Sequence, residues 1–72
     1  MKEIKIHTSQ ITLGQLIKHM NLVSSGGEVK HFLKNNTIYV NDITDDRRGR
    51  KIYPNDIVRI LNQSYKIVHH EN

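Results

Sequence analysis

Between Thr12 and Lys34 the chain reads TLGQLIKHMNLVSSGGEVKHFLK, and two helix starts lie in that stretch. Thr12 followed three residues later by Gln15 is the pattern of a capping box, in which the hydroxyl accepts the Gln15 N–H and the glutamine reaches back to the Thr12 N–H. Ile11, ahead of the cap, can pack on Leu16 as a hydrophobic staple. Leu13, Leu16, Ile17 and Met20 recur at spacings of three and four, so one face goes to the core and leaves Gln15, Lys18 and His19 outside. Gly14 costs this helix about 1 kcal/mol relative to alanine, which close packing or approach of a ligand would explain. Ser25 and Glu28 repeat the capping-box pattern, and Val29, Phe32 and Leu33 carry a second helix as far as Lys34. Asn35 and Asn36 are expected to end it in the left-handed conformation, which Asn tolerates best after Gly. Leu22 and Val23, in the connector between the helices, are expected to plug the core.

Outward from the helices the chain reads as strand and turn. Glu3 to His7 puts Ile4 and Ile6 on one side and Lys5 and His7 on the other, the period of a half-buried strand. Downstream come Ile38 and Val40, a turn at Asn41 and Asp42, and Ile43 with Thr44 leading into a basic loop. Ile52 returns to the core and Pro54, Asn55 and Asp56 supply a turn. The apolar run from Ile57 to Leu61 then pairs with Tyr65 to Val68 across Asn62, Gln63 and Ser64. The expected fold is α+β, with two short helices packed on a small, mostly antiparallel sheet of four to five strands. At 72 residues the chain has room for a single domain, 1–72, that buries about 60% of its unfolded surface, too little for a deep private cavity.

The 11 Lys and Arg outnumber the 7 Asp and Glu, giving a formal charge of +4. Arg47, Arg48, Arg50 and Lys51 crowd around Gly49, which is expected to keep the turn flexible. Guanidinium forks grip phosphate oxygens in pairs and lysine adds a point charge, so the loop fits a polyanion. It equally fits a solvated charged loop, partly neutralised by Asp45 and Asp46. Gly26 and Gly27 open the second helix without side chains to block approach, and its unpaired first-turn N–H groups attract an oxyanion. Lys30 and Lys34, one turn apart and opposite the core stripe, could extend that site; the alternative is an ordinary capped helix with solvated lysines. Tyr39, between Ile38 and Val40, points away from the core side and is the best stacking candidate. Tyr53 and Tyr65 are expected to be partly buried strand aromatics.

Other chemistries find little support. There is no cysteine for a thiolate site, and the five histidines show no ligand spacing with a carboxylate, so neither metal nor cofactor is expected. No Ser/His/Asp order stands out, and Asp45 and Asp46 sit on a loop with nothing to shift their pKa. No apolar run nears the roughly 20 residues of a membrane span, and Met1 to Ile6 alternates instead of forming a signal-peptide core. The expectation is a soluble, unprocessed, cytoplasmic monomer without enzymatic activity.

The segment Val23–Val58 resembles the RNA-binding domain named after small-subunit ribosomal protein S4, the αL motif. The likeness rests on Ser25-Gly26-Gly27-Glu28-Val29-Lys30-His31-Phe32-Leu33, on Val40-Asn41, on Arg48-Gly49-Arg50-Lys51 and on Asp56-Ile57-Val58. It is strongest to the stand-alone bacterial form, the YaaA or YbcJ type, with the core motif at about residues 11–61. Asn36, Asp42 and Asn55 stand where that family usually has glycine, and Asn and Asp are the natural substitutes at positive φ. The resemblance implies binding of structured RNA of the ribosomal or transfer RNA class, through Gly26, Gly27, Lys30, Arg48, Arg50 and Lys51. Arg47 and Lys34 join that surface on physical grounds alone. Charge by itself does not separate RNA from duplex DNA; the resemblance does. A rival expectation is a protein-interaction adapter whose basic loop docks an acidic or ribosomal protein.

Overall fold

The computed structural model describes residues 1–70. The first alternating segment forms β1 (Lys2–Ile6), with Ile6 buried and Ile4 packed against the core. A two-residue strand, β2 (Ile11–Thr12), runs directly into α1 (Leu13–His19). Both halves of the first capping box form: Thr12 Oγ1 accepts the Gln15 N–H at 3.2 Å and Gln15 Oε1 accepts the Thr12 N–H at 2.9 Å. Leu13, Leu16 and Ile17 are fully buried, as their spacing requires, and Met20, Leu22 and Val23 pack against them.

The second helix, α2 (Gly26–Asn35), keeps its stripe but not its expected caps. Val29 and Leu33 are buried and Phe32 packs on the core. Ser25 is the N-cap residue in extended conformation, yet its side chain makes no cap bond. Instead the Ser24 and Ser25 hydroxyls both donate to the Glu28 carboxylate, a charged acceptor with two serines in reach. At the other end Asn36 is extended (φ −135°), not left-handed. It closes the helix with its side chain, Nδ2 donating to the Phe32 carbonyl at 3.0 Å alongside its own backbone N–H. Asp42 (φ 69°) and Asn55 (φ 79°) do occupy the left-handed region, so two of the three glycine substitutes take the backbone the turn demands.

After α2 come β3 (Tyr39–Val40), β4 (Ile43–Thr44), β5 (Lys51–Ile52), β6 (Ile57–Ile60) and β7 (Gln63–His69). The last turn is tighter than expected: Leu61 and Asn62 make it alone, both at positive φ, and Gln63 and Ser64 already belong to β7. Five strands form one sheet in the order β1-β7-β6-β3-β4, antiparallel throughout except for β1, which lies parallel to β7. β2 and β5 pair separately, Ile11 opposite Ile52. The first and last strands therefore lie side by side. His70 donates its N–H to the Ile6 carbonyl at 2.8 Å, and its ring meets His7 edge-on at 4.8 Å.

Alternation sorts the sheet into two faces. Ile6, Val40, Val58, Ile60 and Ile67 point to one side and, with α1, α2 and Ile52, make the core. On the other side lie Lys5, Tyr39, Ile57, Arg59, Lys66 and Val68, none of them buried. Two helices thus cover one face of a mostly antiparallel five-stranded sheet.

Candidate nucleic-acid interface

The basic loop is pinned, not flexible. The Arg50 N–H donates to the Arg47 carbonyl at 3.1 Å and closes a turn around Gly49. Two first-turn N–H groups of α1, which lack helical partners, are taken by the same loop: Leu13 donates to the Arg50 carbonyl at 2.8 Å and Gly14 to the Arg48 carbonyl at 2.9 Å. This explains Gly14. A Cβ there would stand 3.2 Å from the Arg48 carbonyl oxygen, so the loop, not a ligand, needs the missing side chain.

Asp45 holds the loop from the other side. Its Oδ1 accepts the Arg47 N–H at 2.9 Å and Nε at 3.0 Å, while Oδ2 accepts Arg47 Nη2 at 2.8 Å and Arg50 Nη1 at 2.9 Å. The Asp45 side chain is 6% exposed. These hydrogen bonds, from Arg47 first and Arg50 after, outweigh burial and hold the carboxyl far below the usual carboxylate range; Asp45 in turn raises the Arg47 guanidinium. The sequence reading missed this role, because Asp45 reads as one of two adjacent loop carboxylates. The available signal was its place two residues before Arg47 and five before Arg50.

With carbonyls turned toward α1, the loop's side chains face outward. Arg48 reaches across to α2: its guanidinium nitrogen lies 3.6 Å from where a Cβ on Gly26 would be. The two anchors read separately from the sequence, the basic loop and the start of α2, meet at that point. Gly26 and Gly27 keep first-turn N–H groups that no side chain caps. Arg48 and Lys51 are exposed and outside the ion pairs of the described residues, whereas Arg47 and Arg50 share Asp45. Arg47 still presents most of its side chain to solvent, at 69% exposure.

Two open grooves flank the loop. Lys34 lines one with Arg47 and Arg50; Lys51 lines the other with Arg47, Gly49, Arg50 and Tyr53. Tyr53 is 47% exposed, not partly buried as expected: Ile52 beside it takes the inward position, so alternation turns the tyrosine out next to the arginines. Tyr65 does pack on the core. Lys30 is exposed on α2 but lines neither groove. Tyr39 is not brought to the loop at all; it stands on the open face of the sheet with the Arg59 guanidinium 4.1 Å from its ring centre. Among the described residues, no group of three or more His, Cys, Asp and Glu is placed to hold a metal ion, and no helix is long and apolar enough to cross a membrane.

A domain of two helices on a five-stranded sheet, with Arg48 of its basic loop against the start of the second helix, defines a class, and comparison identifies it. Residues 4–68 match the family model of the S4 domain, so the chain belongs to the S4 domain family. Among individual proteins it is similar to one of Bacillus subtilis (strain 168) named "Probable ribosome maturation protein RlbA", at 49% identity over 57 residues, covering 79% of this chain and 80% of that one.

Proposed function

We propose that the protein is a non-catalytic RNA-binding module that grips the phosphate backbone of structured RNA, acting on ribosomal RNA or its assembly intermediates in the cytoplasm, as a monomer. One observation carries the reading: Arg48 lies against Gly26 at the start of α2, which no side chain caps, so a guanidinium fork and first-turn backbone N–H groups, both suited to phosphate oxygens, lie close together. Lys51 and Lys34 with the outer edge of Arg47 extend the positive surface on either side, and Lys30 and Gly27 continue it along the helix. A surface of this kind reads the phosphate rows and shallow minor groove of folded RNA by shape. The strongly shifted carboxyl, Asp45, orients arginines; a general acid or base would need to exchange its proton near neutral pH. The S4 membership and the name of the Bacillus relative both support a ribosomal setting.

The test is binding of an RNA hairpin as a function of salt. Arg48→Ala and Lys51→Ala should each lower the logarithmic salt slope by about 0.7 to 0.9 across unrelated sequences, with the melting curve unchanged. A double variant that keeps the parental slope would remove the loop from the interface.

A further inference from the structure

Resting on the RNA-binding reading, we infer that the open face of the sheet is a second RNA contact, taking a single-stranded segment that flanks the duplex held at the loop. The strand pairing draws the track. Lys5 on β1 lies opposite Val68, two residues along β7 from Lys66; Lys66 lies opposite Ile57, two residues along β6 from Arg59; and Arg59 lies opposite Tyr39. Each of the two steps between cations moves one strand across and two residues along, about 8 Å from strand spacing and rise, and the last goes straight across. Three cations therefore run diagonally over the uncovered face and end at an aromatic ring. All three stand outside the ion pairs of the described residues, which involve Asp45 alone, although Glu3 sits opposite Lys66.

The end of the track has the makings of a base site. The Arg59 guanidinium stacks on Tyr39, and beside the pair lies a depression lined also by Asn35, Thr37, Leu61 and Asn62. Among the described residues the asparagine side chains that bond within the chain are those of Asn36 and Asn41, which leaves the Asn35 and Asn62 amides able to donate and accept at a base edge. Leu61 is an odd residue for its place. It is 55% exposed and sits at φ 52°, where a hairpin turn favours Asn or Gly, so it bears backbone strain without gaining burial. An apolar wall beside a π surface and free amides suits a nucleobase, and the cations suit the phosphates that lead to it. An acidic peptide would use the cations and leave the depression empty.

The experiment compares a blunt RNA hairpin with the same hairpin carrying an unpaired tail of about eight nucleotides, within the site sizes of single-strand binders. The parental protein should bind the tailed RNA about tenfold more tightly. In the triple variant Lys5→Gln, Arg59→Gln, Lys66→Gln that gain should vanish and the salt slope for the tailed RNA alone should fall by about 2. Leu61→Gly, which relieves the turn, should reduce the gain while the melting temperature holds or rises. Arg48→Ala should weaken both RNAs alike, and because the gain is a ratio within each variant, failure of the loop reading leaves it measurable. No gain from the tail, or a gain that survives the triple variant, overturns the inference. Loss of poly-glutamate binding in the triple variant without any tail effect overturns it in favour of an acidic protein partner.

Discussion

At Asp45 four hydrogen bonds from Arg47 and Arg50 converge on one nearly buried carboxylate, and the shape of the basic loop depends on it. Its carboxyl binds a proton less readily in the folded chain than in the unfolded one, where the ordinary value is about 3.9. The stabilisation is therefore full above that pH and is lost as pH falls through it toward the lower folded value. Asp45→Asn should cost about 1–3 kcal/mol at pH 7, as loss of hydrogen bonds to charged groups does, and less at pH 2, where part of the stabilisation is already gone; urea denaturation at the two pH values measures the difference. Gly14 makes the opposite kind of contribution, by what it lacks. Helix propensity alone favours Gly14→Ala by about 1 kcal/mol, but the new Cβ meets the Arg48 carbonyl at 3.2 Å and the loop must shift. The expected outcome is no gain in stability on denaturation, together with weaker RNA binding.

Among the elements, the two helix starts share a sequence pattern and differ in outcome. Thr12 is held extended by its pairing with Lys51 across β2 and β5, so its hydroxyl is aimed at the Gln15 N–H before the helix begins. Ser25 follows a connector with no strand pairing, and with Ser24 it turns to the Glu28 carboxylate. Thr12→Ala should accordingly destabilise the protein by about 1 kcal/mol, and Ser25→Ala by a few tenths at most, a contrast that thermal melts of the two variants would resolve. Gly27→Val completes the element test. A Cβ there meets nothing closer than the Ser25 hydroxyl at 4.0 Å, so the fold should tolerate the valine while RNA affinity falls.

The sheet as a whole joins its first strand to its last. β1 pairs with β7 in parallel along five residues, Lys2 opposite Tyr65 through Ile6 opposite His69, and places Ile6 in the core at 2% exposure. Ile6→Ala should cost about 2–5 kcal/mol, a large part of the roughly 4–11 kcal/mol that 72 residues ordinarily muster, and lower the melting temperature by 10 °C or more by circular dichroism. A small effect would mean that the terminal strand docks without contributing to the core.

The amino-acid sequence by itself determined the stripes of α1 and α2 and the alternation of β1, because a residue's side in a helix or strand depends on neighbours a few positions away. It also placed the cations in one short loop and the open amides at Gly26 and Gly27. The tertiary structure alone decided that Gly14 makes room for the Arg48 carbonyl, that Arg48 lies against Gly26, that Asp45 occupies Arg47 and Arg50, and that Tyr53, not Tyr39, stands beside the loop. Most of these contacts join residues far apart in the chain, brought together only once the buried stripes of the helices have settled on the sheet. Asp45 is the exception in distance but not in cause: its pairing with Arg50 needs the turn that the start of α1 holds in place.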